Sequence, residues 1–249
     1  MTKILEKNNT KTAVIHAEIR NEGLPFNTKY FESLSINRSA IDRRVATLTG
    51  RRTVKKEFQA AWLLKAISMI DLTTLAGDDT RGNVIRLCEK AKNPVREDLL
   101  EKLGMQNENL TTGAVCVYHN LIPFAKEALK GTSIPIAAVS TGFPAGKISL
   151  EDKITEIKKS VAAGAKEIDI VISRDLVLES KWKELYDEIK LCREACGDAH
   201  MKTILATGEI PTYTKVAKAS WVAMMAGSDF IKTSTGKESV NATLAVSLV

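Results

Sequence analysis

Histidine and cysteine are scarce in these 249 residues, three of the first and four of the second, and neither is spaced as metal ligands are. Cys88, Cys116, Cys192 and Cys196 form no CxxC pair with a histidine partner, which argues against a zinc site and a disulfide framework. His16, His119 and His200 are isolated, with no HxxxH, HxH or carboxylate–histidine cluster. No catalytic metal or other cofactor is therefore expected, and a reduced, cytoplasmic chain is. Long apolar runs are missing too, so no membrane span is expected. Met1–Asn8 breaks into charged and amide residues before an apolar run can form, unlike a signal peptide.

Aromatics make up 5% of the chain, and their absence from its most basic stretch matters. Residues 1–60 hold 12 Lys/Arg against 6 Asp/Glu, while residues 61–249 hold 24 of each, so the net charge of +6 is entirely N-terminal. Between Arg38 and Lys56 stand Arg38, Arg43, Arg44, Arg51, Arg52, Lys55 and Lys56, with Asp42 in opposition. Such a run could meet nucleic acid or an acidic partner. Without interleaved aromatics or a nucleic-acid motif, a pair of short helices with solvated basic faces is favoured, nucleic acid is disfavoured and an acidic partner stays open. Composition leaves the oligomeric state unspecified.

What is present is 44% hydrophobic content, enough for a large core, in a length that suits one α/β barrel or two smaller domains. Residues 1–35 are polar and weakly periodic and read as a loosely ordered extension. Residues 39–66 read as helical through Ile41, Val45 and Leu48, then Val54, Phe58, Ala61 and Trp62. From Ile67 onward, short apolar runs alternate with amphipathic stretches, as in a parallel α/β sheet. The expected strands are Ile67–Asp71, Ala114–Val117, Ile134–Val139, Glu167–Ile172, Lys202–Ala206 and Asp229–Lys232. Leu150, Ile154, Ile157 and Val161 mark one intervening helix. Trp182, Leu185, Ile189, Cys192 and Cys196 mark another, which makes the last two cysteines packing residues. Pro123 and Pro211 fall near helix starts, and Gly131, Gly164, Gly197 and Gly227 near helix ends. About six strand–helix units result, and the division expected is a basic, partly helical extension over 1–50 and a partial barrel over 51–249.

The stretch Phe230-Ile231-Lys232-Thr233-Ser234-Thr235-Gly236-Lys237 places a lysine at the end of an apolar strand. Desolvation or a neighbouring cation can lower an amine's pKa until it attacks a carbonyl and forms a Schiff base. Asp169 follows Gly164 by five positions and Lys232 follows Gly227 by five, so on alternate strands of a barrel the two would share one interior layer. A structural carboxylate and a surface lysine are the plainer readings of each alone. Together, a buried acid and amine are costly unless they neutralise each other or act. Asp71 could add a carboxylate at the same mouth, whereas Asp78 and Asp79 read as helix caps. Cys116 is by default a small buried residue and secondarily a pocket lining. Lys202, if it points inward, would help keep other amines deprotonated by repulsion. Thr235-Gly236-Lys237 offers backbone N–H groups and a cation to an anion.

Asp71-Leu72-Thr73-Thr74-Leu75, Glu167-Ile168-Asp169, Thr207-Gly208-Glu209 and above all Phe230–Lys237 resemble the deoxyribose-phosphate aldolase family, its eukaryotic branch most of all. The resemblance runs from about Arg51 to the last residue, through Lys55–Ala66 and Val240-Asn241-Ala242-Thr243. It implies a TIM barrel that reversibly cleaves 2-deoxy-D-ribose 5-phosphate into glyceraldehyde 3-phosphate and acetaldehyde, in deoxyribonucleoside breakdown. It also implies Lys232 as the Schiff-base lysine and Asp169 as the carboxylate of a water-borne proton relay. Asp71, Cys116 and Lys202 match pocket residues of the family, and Gly236 and Lys237 part of its phosphate contact. Two departures stand out. His119-Asn120 occupies the place where the family usually has proline after Cys-Val-Tyr. The family continues past the equivalent of Val249 through two more strands, a second active-site lysine and glycine- and serine-rich phosphate loops. On that ground the expectation is a truncated isoform or fragment with an unclosed barrel and little or no aldolase activity, acting if at all by interaction. A phosphosugar isomerase or lyase on a barrel, with Asp169 as general base, is a further alternative.

Overall fold

The computed structural model describes residues 20–249, so His16 and the leading part of the extension lie outside the described residues. Six parallel strands pair in sequence order: β1 (Asp71–Thr73), β2 (Ala114–Tyr118), β3 (Ile136–Ser140), β4 (Glu167–Val171), β5 (His200–Ile204) and β6 (Phe230–Lys232). The sheet is curled, an incomplete (β/α)8-type barrel. Its helices, in chain order, are α1 (Arg38–Leu48), α2 (Lys56–Ile67), α3 (Arg81–Lys92), α4 (Glu97–Lys102), α5 (Ile122–Ala128), α6 (Leu150–Ala163), α7 (Arg174–Leu178), α8 (Trp182–Cys196) and α9 (Tyr213–Met225).

Strand alternation divides the interior. Val115, Val117, Ile136, Ala138, Ile168, Ile170 and Met201 point outward into one core, where they meet Val84 and Cys88 of α3, Ile157 of α6, Leu185, Ile189 and Cys192 of α8 and Val222 of α9. Burying each large aliphatic there contributes about 1.5–3 kcal/mol. The opposite, concave face carries the small Ala114, Cys116, Ala137 and Val139, which leaves room for longer polar side chains on neighbouring strands.

The helices begin and end on local signals. Ser149 accepts a hydrogen bond from the N–H of Asp152 at 3.1 Å while its hydroxyl donates to the Asp152 carboxylate at 2.6 Å, opening α6. Gly164 closes it in the left-handed region at φ 118°. Thr80 rather than Asp78 or Asp79 caps α3; Asp79 instead closes the preceding loop by accepting from Thr74 and from the N–H of Ala76.

Two stretches differ from expectation. The helix formers of Ala60–Ala66 carry α2 through Ile67, so the first strand begins at Asp71 instead of ending there. Residues 20–36 are tied down: Phe31 is buried, with its ring edge-on to Trp182, and Leu24 donates its N–H to Met225. Asn21 donates its N–H to Asp229, whose other oxygen accepts from Arg193 and from the N–H of Met201, at 2.8, 2.9 and 2.8 Å. By contrast α1 and α2 bury no residue, and Phe58, Trp62 and Leu63 lie exposed. Among the described residues no helix is long and apolar enough to cross a membrane.

Candidate active site

The concave face of β1, β4, β5 and β6 gathers Asp71, Glu167, Asp169, Lys202 and Lys232. Asp169 is fully buried, and its Oδ2 accepts from Lys232 Nζ at 2.5 Å. Lys202 Nζ reaches Asp71 Oδ2 at 2.5 Å, the Glu167 carboxylate, and Asp169 Oδ1 at 3.5 Å. Lys202 thus points inward, as the pairing of Lys202 with Asp169 in the β4–β5 register requires.

Register explains how strands so far apart deliver side chains to one place. Asp169 pairs with Lys202, which pairs with Phe230, so Lys232 stands two residues further along a strand two removed. The same stagger carries the row of Asp71 across β2, β3 and β4 toward Asp198, four residues before Lys202. One residue per strand is the shear of an eight-stranded barrel. The equal spacing from Gly164 and Gly227 therefore does bring Asp169 and Lys232 together, through shear rather than along one hydrogen-bonded row. Asp71 reaches the cluster in the same way from the beginning of its strand.

The electrostatics differ from the simplest sequence expectation. Burial pulls the Lys232 amine down and Lys202 adds to that, but the charge and hydrogen bond of Asp169 outweigh both and hold it above the ordinary lysine value. Lys202 is likewise desolvated, yet Asp169, Glu167 and Asp71 push its pKa up. Lys202 is thus a cation paired with three acids, and its repulsion does not free Lys232. Burial beside Asp169 pushes the Cys116 thiol up to about 12; its Sγ lies 4.0 Å from Asp169 Oδ2, a small lining group rather than a nucleophile.

The loop after β6 is built by its own polar groups. Thr235 donates its N–H to the Glu238 carboxylate at 3.1 and 3.2 Å, and Lys237 donates its N–H to Thr235 Oγ1 at 3.0 Å. Gly236 takes φ 85°, while the Lys237 side chain stays exposed. Arg174, just past β4, donates to Ala145 O at 2.8 Å and pairs with Glu209 at 2.9 Å and Glu238 at 3.8 Å. Gly208 explains the Thr207-Gly208-Glu209 motif: a Cβ there would lie 1.9 Å from the carbonyl oxygen of Val240, so only glycine lets the two loops cross.

Sequence reasoning singled out Asp71, Cys116, Asp169, Lys202 and Lys232, and the structure brings these five together; Gly236 and Lys237 sit on the adjoining loop. It missed Glu167, although the signal was there. Two residues before Asp169 on the same strand, Glu167 must face the same side of the sheet. It also missed the Arg174, Glu209 and Glu238 cluster, whose members come from three loops.

The sequence model of the DeoC/LacD family aldolases matches residues 65–247. The human protein named deoxyribose-phosphate aldolase is 56% identical over 231 residues, 92% of this chain and 73% of that protein. The protein of the same name from Bos taurus is 56% identical over 230 residues, 92% of this chain and 72% of its own length. Among solved structures, the deoxyribose phosphate aldolase from Aeropyrum pernix superposes with a TM-score of 0.54 at 24% identity, covering 70% of this chain and 66% of that one. An aldolase designated QR15 gives 0.60 at 24% identity, over 73% and 75%. At that identity these two bear on the fold alone.

Proposed function

This chain belongs to the DeoC/LacD family of aldolases, and from that premise we propose that it is a class I deoxyribose-phosphate aldolase, cleaving 2-deoxy-D-ribose 5-phosphate reversibly to D-glyceraldehyde 3-phosphate and acetaldehyde. The observation that carries the reading is the 2.5 Å contact between Lys232 Nζ and a fully buried Asp169. Lys232 adds to the C1 aldehyde of the open-chain sugar, and loss of water leaves an iminium. Its nitrogen withdraws the electron pair of the C2–C3 bond as the 3-hydroxyl gives up its proton, so the bond breaks to an enamine rather than a bare carbanion. Asp169, through water, returns a proton to C2, and hydrolysis of the iminium releases acetaldehyde and regenerates the amine.

The raised pKa of Lys232 fits this sequence in one respect. The protonated amine donates to Asp169 Oδ2, so the proton it must lose already points at a carboxylate that can pass it to water as the carbonyl arrives. Asp71, Cys116 and Lys202 line the pocket, and Gly236 with Lys237 faces the phosphate. The four cysteines are free and buried, which suits a reducing cytoplasm. The exposed α1–α2 arm, with its run from Arg38 to Lys56, is open to an acidic partner.

Borohydride reduction in the presence of acetaldehyde, followed by peptide mapping, tests the assignment. Ethylation of Lys232 is expected. Labelling of another lysine, or of none, would remove the Schiff-base reading.

A further inference from the structure

Three acidic side chains face two amines on the concave sheet face, so how they share partners decides what each can do. Lys202 Nζ is drawn toward Asp71 at 2.5 Å and against Glu167, and stands 3.5 Å from Asp169 Oδ1. Asp169 Oδ1 is buried and, among the described residues, has no hydrogen-bond partner, while Oδ2 takes Lys232. A buried carboxylate oxygen left open is costly, and a cation 3.5 Å away would ordinarily move to satisfy it. What restrains Lys202 is the pair of acids on its other side. Asp71 sits on the edge strand β1 and is partly solvated, whereas the Glu167 side chain is 14% exposed and lies on β4 with Asp169 itself.

We propose that Glu167 is a positioning residue: by holding Lys202 it keeps that cation at 3.5 Å, short of a hydrogen bond to Asp169 Oδ1, and so leaves Asp169 an oxygen with which to move protons beside Lys232. The idea rests on the aldolase reading and deepens it. Glu167 touches neither Lys232 nor the reacting carbon; it acts through Lys202. Without Glu167, Lys202 closes onto Oδ1, and both oxygens of Asp169 are then occupied by ammonium groups. Schiff-base formation draws on the Lys232 amine and Asp169 Oδ2, both left in place, and survives. The later step, in which a C–H bond of the iminium breaks, its electron pair forms the enamine and its proton passes through water to Asp169, is slowed.

Acetaldehyde in D2O separates the two steps, because reversal of the second places solvent deuterium on the methyl carbon. Exchange is read by NMR and iminium formation by borohydride trapping at Lys232. For Glu167→Gln we expect exchange to fall about tenfold or more, the scale of a weakened acid–base group, with trapping within about twofold of the parent. In a Lys202→Met background the same substitution should change exchange by less than about twofold, since contacting residues that act through one another are not additive. If Glu167→Gln does not give the parent's circular dichroism, Glu167→Asp is measured through the same cycle. It retracts the carboxylate while keeping its charge, and a smaller loss that also vanishes without Lys202 is expected. Exchange equal to the parent's, or an equal fall in both backgrounds, overturns the proposal and leaves the aldolase reading standing. A parent protein that traps nothing at Lys232 overturns both.

Discussion

Two clusters of buried charge draw on the same strands, β5 and β6, and they are built to different rules. Before β6, Asp229 spends both oxygens: one on the N–H of Asn21, the other on Arg193 and the N–H of Met201. Arg193 in turn donates to the carbonyls of Gly197 and Ala199. Between the helices, Lys153 and Glu188 are matched in the same way, the ammonium donating to Glu188 and Ser173 and the carboxylate accepting from Ser173 as well. Among the described residues the concave cluster is unmatched in number, three acids to two amines, and leaves Asp169 Oδ1 without a hydrogen bond. Burial of charge is common to all three. Imbalance marks the one we assign to chemistry, because a saturated network has nowhere to put a proton.

This contrast can be broken by substitution. The largest expected effect is at Lys232: Lys232→Arg keeps the charge beside Asp169 but should abolish trapping by acetaldehyde and borohydride altogether. Residual turnover in that variant would point to the isomerase-like alternative, with Asp169 as base. Next, Asp169→Asn should slow deuterium exchange by roughly 10²–10⁴-fold, with a smaller shift in the urea melt than Asp229→Ala gives, because the Lys232 side chain it leaves without an acid is 32% exposed and can be solvated. The saturated cluster should behave in the opposite sense. Asp229→Ala leaves Arg193 buried and unpaired and should cost about 3–5 kcal/mol in urea unfolding, with trapping per folded molecule unchanged. A large melt shift in Asp169→Asn and a small one in Asp229→Ala would erase the distinction.

The smallest effect concerns pH. Lys232 has a raised pKa in the folded protein, and only its neutral form attacks. The rate of trapping at fixed acetaldehyde should therefore climb about tenfold per pH unit up to and beyond the ordinary lysine value. The sign for stability follows from the same shift. Attraction to Asp169 is fully present below the unfolded lysine pKa and is lost as pH rises through the higher folded one. A trapping profile that levels off near neutrality would mean that aldehyde binding, rather than the free protein, sets the amine.

Much of this site was legible because strand alternation is. Asp169 is conspicuous between Ile168 and Ile170 and Lys232 at the end of Phe230-Ile231, and two equal spacings from helix-ending glycines tie them to one stagger. Lys202 was visible but its direction was not, since a strand read as starting at Lys202 rather than at His200 leaves its register open. Glu167 was hidden by its place at the strand start, where a charged residue normally reads as solvated. Asp71 was recognised but assigned to the wrong end of its strand, because Ile67–Ile70 is equally apolar as a helix end and as a strand. The loop charges Arg174, Glu209 and Glu238 come from three turns with no shared period, and nothing in a one-dimensional pattern brings such residues together.

Each strand of the sheet pairs with the next in the sequence, and that order has a consequence for how the chain acquires its shape. Strand–helix units can be laid down one after another, each finding its neighbour with little loop to close, which favours progressive assembly from the amino terminus. The contact from Lys202 to Asp71, across 131 residues, and the one from Asp229 back to Asn21, across 208, belong to the end of that process. The groups assigned to chemistry are therefore also among the last to be assembled. A half-made chain carries Asp71, Cys116 and Asp169 in place but no amine beside them, so reactivity toward aldehydes should arise only once β5 and β6 have joined the sheet.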